Sequence, residues 1–329
     1  MVAYPAIKAS NAAIDESTMP QVAVFVGGTS GIGKLTIKAL VATGHSTRIY
    51  LVGRKSSEGR TKAFIEEQRS VNPKAEIVWI EGEVSLLADT KRICDLIKSK
   101  ETCIDLLFLT AGYAQFWKLE LTSEGHGIVQ TLEYYSRMLF VEQLLPQLKR
   151  ANAGRVISVA GGGLETTRID LEDLDLKKNF SSFKGQPLYL TQNSLYMEQL
   201  ADDNPDVSFI HTWPGFVDTG NLWRSVDRNS WMGWVLWLTL QPLISLLTYT
   251  DDEAGQRYLF QSTSAAFGGQ GVDWHSKPGR NSYDRQANGL YLVNHRCDCT
   301  PNAKTMATLR KEARGKNWAH TQSVLGPYL

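Results

Sequence analysis

Gln21-Val-Ala-Val-Phe-Val-Gly-Gly-Thr-Ser-Gly-Ile-Gly33 is the stretch from which the rest of the chain is read. Its first six residues form a short apolar run of strand length. The run breaks on Gly27-Gly28, and a helical pattern follows from Gly33 to Thr43, closed by Gly44. Gly27 permits a tight turn, Gly31 lets the backbone approach a pyrophosphate, and Gly33 allows a helix to pack closely on a strand. The first amides of the helix would then face phosphate oxygens. Thr29, Ser30 and Ile32 share this turn and join the three glycines as candidate cofactor-binding residues. A glycine pattern alone is weak; a strand before it and a helix after it supply the context the chemistry needs.

The same alternation continues outward. Arg48 to Val52 reads as a second strand and Ser56 to Val71 as a second helix, ending near Pro73. Two further buried strands, Ala75 to Ile80 and Ile104 to Leu109, flank a helix from Ser85 to Lys100. A long helix is expected over Glu124 to Arg150, a fifth strand over Arg155 to Val159, a helix over Lys184 to Ala201, and a sixth strand over Val207 to Trp213. Strands alternating with crossover helices predict an α/β fold, a doubly wound parallel sheet of Rossmann type. Ligands in such sheets bind outside the carboxyl ends of the strands, at the topological switch point. No repeat or Pro-rich linker divides the chain. One domain over residues 1–329 is expected, with a cofactor-binding sheet core at 20–214. Residues 215–329 would add a helical substrate lid and a C-terminal extension.

Composition narrows the function. The 329 residues are 43% hydrophobic and 21% charged, and 35 Lys and Arg against 34 Asp and Glu leave a net charge of +1. That balance offers no field for nucleic acid. Four cysteines without paired zinc-like spacing predict reduced thiols in a cytoplasmic protein and no metal site. No apolar run of signal-peptide length occurs near the start. Residues 231 to 249, WMGWVLWLTLQPLISLLTY, are apolar enough to raise membrane association, but Gln241-Pro242 should split them into two short helices. A lid over a small hydrophobic substrate is the expectation. Thr250-Asp-Asp-Glu253 then reads as a capping box.

The spacing Gly27-x-x-x-Gly31-x-Gly33 resembles that of the short-chain dehydrogenase/reductase family, and the resemblance runs over about residues 20 to 265. Leu109-Thr-Ala-Gly112 is similar to the family's Asn-Asn-Ala-Gly turn, with threonine at the second asparagine. Pro214-Gly-Phe-Val-Asp-Thr219 is similar to its Pro-Gly-x-x-x-Thr loop. The resemblance implies a nicotinamide dinucleotide cofactor lying against Ala111, Gly112, Pro214 and Gly215, with Val217 and Thr219 by the carboxamide and Glu83-Val84 beside the adenine. At the end of the second strand, Val52-Gly53-Arg54-Lys55 lacks the acidic residue that would hold ribose hydroxyls. Arg54 and Lys55 could instead grip a 2′-phosphate, which predicts NADP. A homodimer is possible.

The family's catalytic serine, tyrosine, lysine and asparagine are missing. Matched without gaps, their positions fall on Gly161, Gln186, Leu190 and near Glu133. A slip of three residues recovers Tyr189 but puts Asn193 in place of lysine. The lysine matters because a free phenol titrates near pH 10, and a neighbouring ammonium must pull it down. Ala9-Ser-Asn11, Tyr134-Tyr-Ser-Arg-Met138, Ser208-Phe-Ile-His211 and Trp318-Ala-His-Thr321 resemble a fungal biosynthetic-cluster subgroup whose members often lack this tetrad. Tyr189 and Glu133 are the candidate catalytic residues, with His211, Tyr134 and Tyr135 as other possible proton donors. Glu133 and Arg137, four apart, are placed to pair on one helix. Three readings stay open: an NADP(H)-dependent oxidoreductase of a small hydrophobic metabolite, a redox-neutral enzyme (cyclase, isomerase or dehydratase) on the same scaffold, and a non-catalytic cofactor-binding protein.

Overall fold

The computed structural model describes residues 2–113, 118–215 and 249–329. Seven strands, β1 Val22–Val26, β2 Thr47–Gly53, β3 Ala75–Glu81, β4 Leu106–Leu109, β5 Arg155–Val159, β6 Ser208–Thr212 and β7 Leu290–Val293, form one sheet. Their order is β3-β2-β1-β4-β5-β6-β7, and every neighbouring pair is parallel. The strands read as near-continuous apolar runs because both faces of the sheet are covered. Alternate residues feed opposite faces: Val24, Val26, Leu107 and Leu109 enter one core, and Ala23, Phe25, Leu106 and Phe108 the other.

On the second of these faces lie α1 Tyr4–Ala12, α2 Gly31–Val41 and α3 Glu58–Val71. The first face carries α4 Leu87–Lys98, α5 Ile128–Gln130, α6 Ser136–Leu148 and α7 Ser182–Asp203. The helix expected from Glu124 starts later, because Gly125, at φ 80°, sits in a turn closed by the Thr122 amide donating to His126 O at 2.8 Å. Between α5 and α6 the backbone widens into a π-helical segment, Thr131–Tyr135.

Residues beyond 215 do more than cap the sheet. Asp251–Thr263, here α8, packs with α2 and α1 on the second face, and its N-terminus is capped by the Thr250 hydroxyl accepting from the Glu253 amide at 3.2 Å. β7, which the sequence reading did not contain, joins the edge beside β6. Two last helices, α9 Ala303–Glu312 and α10 Arg314–Leu325, lie against the α5–α7 layer. Trp318 stacks on Tyr196 with ring centroids 4.5 Å apart, and Tyr135 Oη is 2.7 Å from His320 Nε2. Tyr134 is hydrogen-bonded to Thr321 and Asn317. These contacts turn Tyr134 and Tyr135 away from the strand ends and into the C-terminal helix, which removes both as proton donors.

Among the described residues no helix is long and apolar enough to cross a membrane. Residues 231–248 of the apolar stretch lie outside the described residues, as do Val217 and Thr219.

Candidate functional site

The sheet order reverses between β1 and β4, and a cleft of about 370 Å³ opens at the carboxyl ends there. It is lined by Gly27, Thr29, Ser30, Gly31 and Ile32 from the glycine turn, Arg54 beyond β2, and Glu83 and Val84 beyond β3. Ala111 and Gly112 beyond β4 and Pro214 and Gly215 beyond β6 complete that rim. Gly27, at φ 97°, crosses the β4 turn so closely that a Cβ would stand 2.6 Å from Ala111 N. Thr110, in the asparagine position, donates from Oγ1 to Gly27 O at 3.0 Å and ties the two turns together. Gly33 is not at the surface of the cleft but under it, where a Cβ would meet Gly28 Cα at 2.8 Å.

These residues fit a dinucleotide. Ser30 occupies the N-cap of α2 with extended backbone, yet its hydroxyl does not cap the helix, so the first amides keep their capacity for an anion. Arg54 is exposed and its guanidinium has no hydrogen-bond or ion-pair partner among the described residues. Lys55 opens a one-turn 3₁₀ helix, Lys55–Ser57, and does not line the cleft. Ser57 and Arg60, which the sequence reading passed over, do. The spacing of Ser57 and Arg60, three apart at the start of α3, was the available signal, since such residues share a helix face.

At the other end the four residues matched to the family's tetrad meet in two pairs. Gln186 Nε2 donates to Glu133 Oε2 at 3.0 Å, which joins the tyrosine and asparagine positions directly. A Cβ on Gly161 would stand 2.9 Å from Leu190 Cδ2, so leucine occupies the space beside the vacant serine position. Glu133 faces the cleft but is otherwise enclosed. Burial pushes its pKa up to about 7, opposed by the Arg137 charge and by hydrogen bonds from Gln186 and the Tyr113 amide.

Glu133 and Arg137 do not form the ion pair expected from their spacing. The π-helical segment widens the turn between them. Arg137 instead donates from Nη1 to Ser158 Oγ at 2.8 Å and Val159 O at 2.9 Å, and from Nη2 to Ala111 O at 2.7 Å. It clamps the ends of β4 and β5 from below. Asn193 is equally committed, with Nδ2 donating to Glu133 O at 2.7 Å and Tyr189 O at 2.8 Å, while Oδ1 accepts from Ser158 Oγ at 3.0 Å.

Tyr189 borders the cleft but packs with Val129, Leu174, Leu176 and Leu188, and its buried hydroxyl has no hydrogen-bond partner. Burial, then the nearby Glu133 charge, push its pKa up. That is the opposite of what a lysine would do, and it leaves Glu133 as the titratable group poised near neutrality.

His211 is enclosed behind the cleft. Its Nε2 accepts from the Gly161 amide at 3.1 Å, so in a neutral ring Nδ1 carries the hydrogen and donates to Ser194 Oγ at 2.7 Å. Ser194 in turn donates to Glu165 Oε1 at 2.7 Å, and Glu165 Oε2 accepts from Asn302 Nδ2 at 2.9 Å. Burial holds the imidazole pKa down to about 3. The histidine therefore braces the glycine segment and donates nothing to the cleft.

Comparison with known proteins places this geometry. The family model described as short chain dehydrogenase matches residues 21–167. Oxidoreductase AN1596 of Emericella nidulans is 35% identical over 99% of this chain and 98% of its own. The short-chain dehydrogenase/reductase SAT2 of Stachybotrys chartarum is 29% identical over 98% of this chain and 97% of its own. Among solved structures, a Pseudomonas aeruginosa RhlG/NADP active-site complex superposes with a TM-score of 0.57 at 16% identity, covering 78% of this chain and 95% of that one. The NADPH-bound carbonyl reductase from chicken fatty liver gives 0.55 at 15% identity over 85% and 98%. At such identities the two structures speak to the fold.

Proposed function

The chain belongs to the short-chain dehydrogenase/reductase family of oxidoreductases, and from that premise we propose that it is an NADP(H)-dependent oxidoreductase of a small hydrophobic metabolite, with Glu133 as its proton-handling group. The observation that carries this reading is the layout of the cleft at the strand ends. Arg54 and Arg60, without ion-pair partners among the described residues, stand at one end, uncapped α2 amides at the middle, and Glu133 at the other end. Bound there, the nicotinamide would supply or accept hydride. The chain's own part is to hold the phosphates on the glycine turn and to select the 2′-phosphate with Arg54 and Arg60. Glu133 Oε2 or Oε1 then gives or takes a proton. A carboxyl with a pKa of about 7 is populated in both forms at neutral pH, as a general acid–base requires. Leu132 and Leu190 give that end of the cleft its apolar character.

The test is a fluorescence titration with NADPH and NADH on the native chain and on Arg54→Ala. Loss of one charge-assisted bond predicts about 10- to 100-fold weaker NADPH binding, with NADH little changed. Failure of both nucleotides to bind the native chain refutes the reading. The redox-neutral alternative draws on the same vacancy that makes Glu133 prominent, since Gly161, Gln186 and Leu190 keep none of the family's proton relay. Tight NADPH binding without hydride transfer to any acceptor would favour it.

A further inference from the structure

The substrate end of the cleft has the hydrogen-bonding polarity of an acceptor site, opposite to what a carbonyl substrate needs. Reduction of a ketone builds negative charge on oxygen, which calls for donors aimed at it. Here the amide and guanidinium donors are spent among the described side chains, and the phenols of Tyr113 and Tyr189 are the hydroxyl donors left beside Glu133. Asn193 Nδ2 is used twice, and the Arg137 guanidinium bridges Ala111, Ser158 and Val159. The Tyr189 hydroxyl is shut inside an apolar cluster. Gln186 turns its amide nitrogen toward Glu133, which leaves Oε1 without a partner among the described residues.

A third acceptor comes from the backbone. Ala160 donates its amide to Thr212 O at 2.9 Å, continuing the β5–β6 ladder by one bond. The next bond in a parallel ladder would run from the amide of residue 214 to Ala160 O. Residue 214 is proline and has no N–H, so the sheet leaves that carbonyl unclaimed. Ala160 itself lines the cleft.

We infer that Glu133, Gln186 Oε1 and Ala160 O together form a receptor for an N–H donor, and that the ligand class of this site is hydrophobic amines in their protonated form rather than ketones. This rests on the reading of the cleft as the substrate and cofactor site. A serine at position 161 would have put a donor among these acceptors; glycine there, with Pro214 opposite, removes the donor and frees a carbonyl instead. The protonated amine brings up to three N–H groups, so it can satisfy all three acceptors at once, and the charge-assisted bond to the carboxylate is the strongest of them. The titratable groups facing Glu133 are Arg137 on its own helical segment, Tyr113 beyond β4 and Tyr189 on α7. Burial holds Arg137 down only to about 10, and both phenols are pushed up, so Glu133 alone among them changes charge between pH 6 and pH 8.

The test uses 4-phenylbutan-2-amine and 4-phenylbutan-2-one, which differ only at the functional carbon, titrated by calorimetry into the full chain with saturating NADP. The amine should bind about 10-fold or more tightly than the ketone at pH 8. Its affinity should fall toward pH 6 as Glu133 takes up a proton, and Glu133→Gln should remove both the preference and the pH dependence. Equal binding of the two probes, binding of neither, or a preference that survives Glu133→Gln overturns the inference. The pH series on the unaltered chain stands even where the variant folds poorly. NADP affinity is read separately in the same series, and the probes can also be titrated without nucleotide, so failure of the cofactor reading is distinguished from failure of the amine site.

Discussion

Replacing Glu133 with glutamine should change the pH dependence of stability in a way that few other single substitutions can. In the folded chain burial raises this carboxyl from its ordinary 4.5 to about 7. Below pH 4.5 both folded and unfolded chains carry the proton, so the group is neutral to stability. Between pH 4.5 and 7 the unfolded chain has released its proton and the folded chain has not, so stability falls as pH rises through that window. The interval corresponds to about 3 kcal/mol at most, at 1.36 kcal/mol per pH unit. Glutamine keeps the shape and the neighbourhood of Gln186 but cannot ionise. The variant should therefore match the native chain within a constant offset near pH 4.5 and gain on it steadily up to pH 7, then run parallel. Urea unfolding at half-unit intervals from pH 4.5 to 8, with unchanged slopes, measures this directly. A difference between variant and native chain that stays flat across the window would refute the perturbed carboxyl, and with it the assignment of Glu133 as the proton-handling group.

Gly27→Ala should cost roughly 2 kcal/mol or more and abolish nucleotide binding, since its φ of 97° and the 2.6 Å approach to Ala111 N leave a Cβ no room; thermal unfolding and NADPH titration check both. Arg137→Met should destabilise by about 3 kcal/mol, because it orphans the Ala111 and Val159 carbonyls and Ser158 in one step. A urea midpoint within experimental error of the native chain would show that the clamp contributes nothing. His211→Gln should flatten the acid limb of stability: the folded imidazole titrates near 3 and an unfolded one near 6.5, so the native chain loses about 1.4 kcal/mol per pH unit as pH falls below 6.5. Acid unfolding that is identical in the two chains would contradict the buried neutral ring.

Much of the cleft's lining was legible in order along the chain. The glycine turn, Arg54, Glu83-Val84, Ala111-Gly112 and Pro214-Gly215 each follow a strand, and a parallel sheet brings all strand ends to one edge. Where single residues went astray, local geometry was responsible. Lys55 lies in a one-turn helix and does not line the cleft, whereas Arg60 on α3 does. β7 escaped notice because Leu290–Val293 is only four residues long and a largely irregular stretch separates it from α8.

The sequence by itself determined the sheet, its parallel sense and the cofactor edge, because period and punctuation act over a few residues and need no distant partner. It also put Gly161, Gln186 and Leu190 where the family resemblance implies serine, tyrosine and lysine. Only the tertiary structure decided what took their place. The π-helical widening at Thr131–Tyr135 separates Glu133 from Arg137 and lays the carboxyl against Gln186, some fifty residues on. Burial then moves its pKa toward neutrality while enclosing Tyr189 and His211. Those outcomes depend on which groups meet across the sheet and how far water is excluded between them, quantities that no local pattern encodes.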